Sequence, residues 1–542
     1  MTRSKMIWML APLAALMALG CADDGASTRT LAVDAAGGTL VLGNASVVVP
    51  AEALAESTTL TLTRLAQTDV TALGAGEEFT GQPFELAPTT TVFAMPVAIT
   101  LPYSGGDEDL FVFAASGTDA PWAIVAGATF TDGVASFSHG SGGVFVVVRA
   151  LATDLPALGA TPAFAVVSSD YSSTAIAMLD SEGDALDAEW FTSADALAGL
   201  VAALGGDVSL PTTPEAGHVV VLDRFRVDVI TRVAIPGGEL VGQLRTHSTA
   251  GVAGFSSNPQ DYLALGSDRA WISRFGQNPD AAADASEAGT DLIEIDPTTM
   301  ARTGARVDLS SFSTVVGETD VLARPSRMLR LGDYVAVGLG LLSADFSASA
   351  DGVVVLVDPA DASLTSLTLT GLRNCGTIVP VPEDDTRALV ACTGHSGTFD
   401  AAEVRATAGV VVVHLNGAAL EEEARWEAST DMSAAVAVNG ITAISADEFV
   451  AAEYGDFIAP TNDAVYRVVI STGVQTQLAT AEGQYQVGTM AFDAASGLLL
   501  VPDASEGLRR FTLTETTATE GTAVALTMAR GLPPRHATLV AR

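Results

Sequence analysis

The chain contains few basic and few aromatic residues. The shortage of basic residues narrows the range of partners that the protein can bind. Among 542 residues, 26 are Lys or Arg and 64 are Asp or Glu, so the formal net charge is −38. Lys5 is the only lysine. A surface this acidic repels phosphate backbones, which disfavours nucleic-acid binding. The acidity itself fits either solubility in a salty habitat or a site for a cation or a basic partner.

The sequence also lacks the usual signatures of catalysis and metal binding. It contains no Gly-x-Ser-x-Gly elbow, P-loop or dinucleotide-binding fingerprint, and no Asp-x-Asp-x-Asp-Gly calcium loop. The histidines do not have metal-ligand spacing; they are His139, His218, His247, His395, His414 and His536. His395 precedes Ser396, but Thr-Gly-His-Ser-Gly between strands is more typical of a turn. No catalytic residue, metal or cofactor is therefore predicted.

The composition favours short apolar β-strands. Hydrophobic residues make up 48% of the chain but aromatic residues only 6%, with 51 Gly and 23 Pro. This mixture favours an all-β chain with many turns. At 542 residues the chain can hold two or three domains, each with its own core.

The first residues have the pattern of an export signal. Arg3 and Lys5 precede an apolar run, Met6 to Leu19, that is too short to span a membrane. The following Ala18-Leu19-Gly20-Cys21 resembles the lipobox of bacterial lipoproteins, although Ala18 stands where leucine is usual. The resemblance implies a signal peptide at 1–20, acylation of Cys21, a tether at 21–30 and membrane attachment through the lipid. An ordinary signal peptide followed by an unmodified cysteine is the alternative.

Residues 31–150 alternate like half-buried strands. Leu60-Thr-Leu-Thr and Val97-Ala-Ile-Thr-Leu place apolar residues on one face only. Gly37-Gly-Thr-Leu, Val47-Val-Val-Pro-Ala-Glu-Ala-Leu54 and Phe93 to Pro102 together resemble the ZU-five-like β-sandwich domain. The resemblance implies a spacer or protein-interaction module. Residues 151–162, which include Pro156 and Gly159, are predicted to be a linker.

A short apolar phrase recurs seven times in the rest of the chain, at a spacing of roughly 50 residues that is typical of propeller blades. The phrases are Ala163–Asp170, Gly217–Arg224, Asp261–Asp268, Asp333–Gly340, Arg387–Gly394, Glu448–Gly455 and Gly497–Ala504. Each is predicted to be the second strand of a four-stranded blade. Asp333-Tyr-Val-Ala-Val-Gly338 followed by Val353 to Ala360 resembles the YVTN-type propellers. The fold prediction is thus an N-terminal β-sandwich followed by a seven-bladed β-propeller at 163–542.

The first blade lacks an innermost strand in the sequence, whereas Arg535 to Arg542 form a surplus strand at the C-terminus. We therefore expect the two ends to meet, so that the C-terminal strand completes the first blade and removes an open edge.

Four connections between second and third strands are long, and they should share one face because equivalent loops emerge on the same side. They run from Phe275 to Thr290, Leu342 to Asp351, His395 to Ala408 and Gly455 to Asp463. We predict an acidic binding face for a protein or small ligand; solvated loops with no partner are the alternative. The face comprises Asp280, Asp284, Glu287, Asp345, Asp351, Asp400, Glu403, Asp456 and Asp463.

The two remaining cysteines flank a tight turn at 382–385. If Val381 faces Thr386 across this turn, Cys375 faces Cys392 directly, as in a disulfide of an exported protein. The loop of about 16 residues would contribute about 3 kcal/mol. A pair of free buried thiols, or a Cys392–His395 dyad, are the alternatives.

Together these patterns predict a lipid-anchored binding or scaffold protein of the bacterial cell envelope. Ala22, rather than an acidic residue, follows Cys21, which under the enterobacterial sorting rule favours the outer membrane. The competing class is a lactonase-like propeller hydrolase, because YVTN-type propellers resemble lactonases. Such an enzyme needs His, Arg or carboxylates that converge on the central funnel, and the sequence alone does not assemble such a set.

Overall fold

The structure is a computed structural model that describes residues 27–540 apart from 75, 249–254, 396, 399, 429–438 and 455–460. The predicted signal peptide at 1–20, the lipidation residue Cys21 and the face residue Asp456 lie outside the described residues. The described part is all-β and divides into two compact units. One comprises the residues up to Gly74 with Phe79–Val148; the other comprises 76–78 with the residues from Arg149 onward.

The first unit, here the two-sheet unit, contains two sheets that share one core. Their orders are β1-β4-β6-β12-β8-β9 and β10-β11-β7-β3-β2. In β4, Leu60 and Leu62 are buried while Thr59 is exposed, as the alternation predicts. These leucines pack in the same cluster as Val97 and Ile99 of β7. The first strands are β1 (Thr28–Val33), β2 (Gly38–Leu42), β3 (Ala45–Val49), β4 (Thr58–Arg64), β5 (Glu77–Phe79), β6 (Phe84–Ala87), β7 (Val92–Pro102), β8 (Leu110–Ala115), β9 (Ala123–Ile124), β10 (Thr129–Thr131), β11 (Val134–Ser141) and β12 (Gly143–Ala150).

The boundaries near this unit differ from the predicted ones. Strand β1 begins at Thr28, so the last residues of the predicted tether are extended and paired with β4. The predicted linker contains no named strand, but it belongs to the second unit and is hydrogen-bonded to other residues of that unit. Leu155 donates to the carbonyl oxygen of Gly238, and the Trp190 indole N–H donates to that of Pro156 at 2.8 Å.

The second unit, here the ring unit, contains seven four-stranded sheets among its described residues. Sheets 1 to 7 are, from the first to the fourth strand, β43-β13-β14-β15, β16 to β19, β20 to β23, β26-β27-β29-β30, β31 to β34, β35 to β38 and β39 to β42. The strands are β13 (Phe164–Ser169), β14 (Thr174–Leu179), β15 (Ala185–Thr192), β16 (Val208–Ser209), β17 (His218–Asp223), β18 (Val229–Ala234), β19 (Leu240–Arg245), β20 (Pro259–Ala264), β21 (Ala270–Gln277), β22 (Gly289–Asp296), β23 (Ala301–Asp308), β24 (Thr314–Val316), β25 (Thr319–Leu322), β26 (Pro325–Leu331), β27 (Tyr334–Leu339), β28 (Leu342–Ser343), β29 (Asp351–Val357), β30 (Leu364–Arg373), β31 (Thr377–Val381), β32 (Asp384–Thr393), β33 (Ala408–Asn416), β34 (Ala419–Glu427), β35 (Asn439–Ser445), β36 (Glu448–Glu453), β37 (Ala464–Val469), β38 (Gln475–Thr480), β39 (Ala491–Asp493), β40 (Leu498–Asp503), β41 (Gly507–Leu513), β42 (Ala518–Glu520) and β43 (Pro534–Leu539).

Helix is scarce in the described residues. The one α-helix is α1 (Ala401–Arg405), and the 3-10 turns are Gln67–Asp69, Ala285–Glu287, Ser310–Phe312 and Met528–Arg530. A small extra sheet joins β24, β25 and β28.

Each sheet of the ring unit contacts the next one along the chain, and the seventh contacts the first. The closure depends on β43, which pairs antiparallel with β13, as the sequence predicted. On its other side, the backbone N–H of Ala537 donates to Thr489, and that of Thr489 donates to Arg535. One C-terminal strand therefore joins the first and last sheets and leaves neither with an open inner edge.

The predicted alignment of the third sheet is wrong by one strand. The phrase Asp261–Asp268 was expected to be a second strand, but β20 (Pro259–Ala264) is the first strand of its sheet. The second strand is β21, which reads Ala-Trp-Ile-Ser-Arg-Phe-Gly-Gln and carries Arg274 inside the core. Because the polar Ser273 and Arg274 interrupt its apolar run, the sequence of β21 does not match the recurring apolar pattern.

The predicted disulfide between Cys375 and Cys392 is confirmed, with both cysteines fully buried. The predicted register is wrong by one residue, because Thr377 pairs with Ala391 and the ladder shifts between Pro380 and Val381. The bond therefore runs diagonally from the segment before β31 to the end of β32. Because Cys392 has no free thiol, a Cys392–His395 dyad is excluded.

Candidate ligand-binding site

The connections of the ring unit emerge on two sides. Strands alternate in direction, so the connections between first and second strands share one side, which we call the turn side. The connections between second and third strands, and those from each sheet to the next, share the other, which we call the loop side. The described parts of the four long connections lie on the loop side, as predicted.

Several of the predicted acidic residues there accept hydrogen bonds within their own loops. Asp284 accepts from the backbone N–H of Ser286 at 2.8 Å, and Asp400 caps α1 by accepting from Ala402 at 2.9 Å. The hydroxyls of Ser347 and Ser343 lower the pKa of Asp345 to about 2. Such bonds two residues apart stabilise turns.

The other predicted residues do not form one surface. Glu287 pairs with Arg302 at 2.7 Å, and Asp280 accepts from Ala282 in its own turn. Asp351 lies half-buried at the start of β29, and Glu403 is exposed on α1. The prediction for Asp463 is wrong: this side chain is fully buried and accepts from the backbone of Gln486 and Val487. Its carboxylate holds the backbone of the segment at Gln486 in place and is not accessible to a binding partner.

Exposed aromatic residues on the loop side were missed by the sequence reasoning. The exposed aromatic side chains in the described part of the ring unit all lie there: Tyr171, Phe225, Phe346 and Tyr485. The first three have an arginine guanidinium within 5.0–5.5 Å of the ring centre, from Arg535, Arg226 and Arg324 respectively. Arginine and aromatic residues are frequent at interfaces, and aromatic residues in the predicted loops of so aromatic-poor a chain are a signal that the sequence offers.

A buried carboxyl group near the loop side should make stability depend on pH. The pKa of Asp223 is raised to about 7, chiefly by burial and also by Asp207 and Asp228, while the hydrogen bond from the Gly205 N–H opposes the shift. One carboxylate oxygen accepts from Gly205, and the other has no hydrogen-bond partner among the described residues. The folded state therefore keeps a proton that the unfolded state loses near pH 4.

Stability should accordingly fall as pH rises from about 4 to about 7, by about 2 kcal/mol between pH 5 and pH 7. Asp223→Asn removes this proton, so its free energy of unfolding should show a correspondingly flatter pH profile. Urea denaturation followed by tryptophan fluorescence measures both. Parallel profiles for the two proteins would show that Asp223 is ionised in the fold.

A cavity of about 510 Å³ lies where the first strands of the sheets converge. Six of the seven sheets line it, all except sheet 3. Its turn-side rim includes Pro214, Pro382, Glu383 and Asp493. We call it the axial cavity.

Two basic side chains lie at the loop-side end of the axial cavity, each at the third residue of its strand. Arg327 of β26 donates from Nη1 to the carbonyl oxygens of Leu210 and Gln260 at 3.0 and 2.8 Å, and from Nη2 to the Ser209 hydroxyl at 2.8 Å. Nδ1 of His536 lies 3.1 Å from the same hydroxyl. Ring closure thus brings together an arginine, a serine and a histidine near the axis. The sequence alone did not assemble such a set of polar residues, so the structure corrects that expectation.

The protonation of this cluster follows from its contacts. Burial, together with Arg327 and Arg224, lowers the pKa of His536 well below its ordinary value, so the ring is neutral. The Ser209 hydroxyl accepts from Arg327, and its own proton can go to His536 Nδ1 or to the Leu210 carbonyl oxygen at 3.5 Å. In the tautomer in which Ser209 donates to Nδ1, Nε2 carries the imidazole proton. Nε2 has no partner among the described residues.

Two glycines lie at the loop-side end. A Cβ atom on Gly488 would lie 1.9 Å from the carbonyl oxygen of Arg535, and one on Gly440 would lie 2.5 Å from that of Gly488. The backbones of sheets 6, 7 and 1 therefore lie in contact at this level, which narrows the polar end of the axial cavity.

The described residues contain no cluster of three or more His, Cys, Asp or Glu that could hold a metal ion. Within that part of the chain, no helix has the length and apolar character needed to cross a membrane.

Comparison with known proteins gives only distant similarities. No protein-family model and no curated protein matches the chain. A protein provisionally named 6-phosphogluconolactonase from Bacteroides fragilis is 11% identical, with a TM-score of 0.43, covering 71% of this chain and 99% of its own. The Cps50 (Swd1) β-propeller domain of Myceliophteria thermophila is 13% identical, with a TM-score of 0.40, covering 67% and 99%. The chain is thus all-β with propeller-like structural neighbours.

Proposed function

We propose that this chain is a non-catalytic binding protein whose ring unit is a seven-bladed β-propeller that holds a small ligand in its axial cavity. The observation that carries the proposal is the cavity itself, a space of about 510 Å³ with unused donors at its inner end. Pockets of this size, mostly apolar with few polar groups, are typical of ligand sites.

The rest of the proposal extends the sequence patterns. The two-sheet unit is a ZU-five-like spacer, and acylated Cys21 anchors the protein in the outer membrane of a bacterial envelope. The lipobox-like Ala18-Leu-Gly-Cys21 and the polar residues after it support this anchor.

A hydrolase is the second candidate, because a serine, a histidine and an arginine meet beside the axial cavity. Two features weigh against it. Ser209 is 2% exposed and does not line the cavity, so its hydroxyl has no path to a substrate. His536 contacts it through Nδ1, and nothing in the described residues orients Nε2 as a triad would require.

Filling the axial cavity tests the binding function. Thr442 of β35 is a half-buried lining residue, so Thr442→Trp should occupy the space without removing a hydrogen bond. Thr368→Trp, at an exposed position on the outer strand β30, is the matched control. Each protein is purified from its own bacterium and denatured, and released small molecules are identified by mass spectrometry.

We expect a compound from wild type and from Thr368→Trp, and at least about tenfold less from Thr442→Trp, since a filled pocket excludes its ligand. No compound from wild type, or equal release from all three proteins, would contradict the proposed function.

A further inference from the structure

The wall of the axial cavity is apolar along most of its length. It includes Leu329, Ile378, Ile441, Met490, Phe492 and Leu539, contributed by five different sheets. Such a wall favours an aliphatic or aromatic body, because each apolar group that leaves water for it gains free energy.

The inner end, by contrast, offers hydrogen-bond donors. The Nε–H and one Nη2–H of Arg327 have no partner among the described residues, and neither has Nε2 of neutral His536, which is a donor when Ser209 donates to Nδ1. Both side chains contact the Ser209 hydroxyl and line the cavity. Thr377 and Thr489 line the cavity as well.

Among the described residues that line the axial cavity, Arg327 is the one arginine, and it lies at the inner end. Arg224 is linked to Arg327 through Gln260, whose side chain accepts from Arg224 and whose carbonyl oxygen accepts from Arg327. Asp207 pairs with Arg224 and offsets its charge. Asp261 offsets Arg327 only in part, because its nearest carboxylate oxygen is 3.7 Å from Nη1. Glu383 and Asp493 at the turn-side rim would repel an anion held there. An anionic group is therefore stabilised at the inner end and disfavoured at that rim.

We propose that the axial cavity recognises a small monocarboxylate with an apolar body, its carboxylate held by Arg327 and His536 and its body along the apolar wall. The inference rests on the proposed function and names its ligand class. Two oxygens suit the few free donors, whereas a phosphate dianion would bring more charge than one partly offset guanidinium can balance.

Calorimetric titration of the chain from residue 22 onward with octanoate and with 1-octanol tests this class. Arg327→Met removes the guanidinium; Arg330→Met is the matched control, since Arg330 is exposed three residues further along β26 and donates only to the Gly332 carbonyl oxygen. We expect octanoate to bind wild type more tightly than 1-octanol. Arg327→Met should weaken octanoate by about 10- to 100-fold, the usual range for a hydrogen-bonded charge, and leave 1-octanol nearly unchanged.

Arg327→Lys is a second variant that separates a loss of binding from a folding defect. The melting temperature of every variant is measured as well. Lysine keeps the positive charge but lacks the planar pair of guanidinium donors. Octanoate should therefore bind Arg327→Lys more weakly than wild type and more tightly than Arg327→Met. Equal affinity of wild type for the two probes, or the same loss in Arg330→Met, would overturn the monocarboxylate class. If 1-octanol still binds wild type but not Thr442→Trp, the cavity remains the ligand site, and only the assignment of its ligand as a monocarboxylate is wrong.

Discussion

Removal of residues 534–542 should abolish cooperative folding of the ring unit. β43 pairs with β13 on one side and is hydrogen-bonded to Thr489 on the other, so its loss leaves the inner edges of the first and last sheets unpaired. It also removes buried Ala537 and Val540, and it uncovers Phe164 and Val166, which pack in the same cluster as Ala537. Unpaired edges and an opened core are a large loss against the roughly 5–15 kcal/mol that stabilises an ordinary domain.

Circular dichroism and the urea transition of the truncated chain measure the effect. Removal of 541–542 alone is the control and should leave the transition in place. A truncated chain that unfolds as cooperatively as wild type would show that the ring does not depend on its C-terminal strand.

Replacement of Arg274 should produce the largest loss of stability from a single side chain. Arg274 of β21 and Asp291 of β22 are both fully buried and make two 2.7 Å hydrogen bonds to each other. Arg274 also donates to the carbonyl oxygens of Thr246 and Ser286 at 2.9 Å. Arg274→Met leaves Asp291 buried with Arg306 as its remaining partner, so the free energy of unfolding should drop by about 3–5 kcal/mol.

Arg302→Met is the matched control, because Arg302 pairs with Glu287 at the partly exposed edge of the same region. Its removal should cost about 0–1 kcal/mol. The double variant Arg274→Met/Asp291→Leu should regain much of the loss, since no buried charge is then left alone. A cost below about 1 kcal/mol for Arg274→Met would mean that water or another group solvates Asp291.

Much of the fold could be predicted because it depends on local patterns. The alternation of leucine and threonine in β4 places Leu60 and Leu62 inside, and the recurring apolar phrases fall on strands of six sheets as predicted. The third sheet was misaligned because Arg274 enters the core through its pairing with Asp291. A charge that is neutralised by a partner on the next strand cannot be recognised from strand hydropathy alone.

The candidate site was harder to predict because it depends on contacts between distant sheets. Arg327, Ser209 and His536 lie on three different sheets, and only the closing strand brings His536 to the axis. The acidic loops were misjudged for a local reason. Asp284 and Asp345 each precede a serine by two residues, which is a turn-capping pattern visible in the sequence.

The crystal structure of the chain from residue 22 onward with 8-bromooctanoate tests the central claim most directly, because anomalous scattering locates the bromine. We expect the carboxylate within hydrogen-bond distance of Arg327 and His536 Nε2, and the bromine near Phe492 or Leu539 towards the turn side. Bromine at the inner end, or a ligand found only outside the axial cavity, would contradict the assignment of this cavity as a carboxylate site.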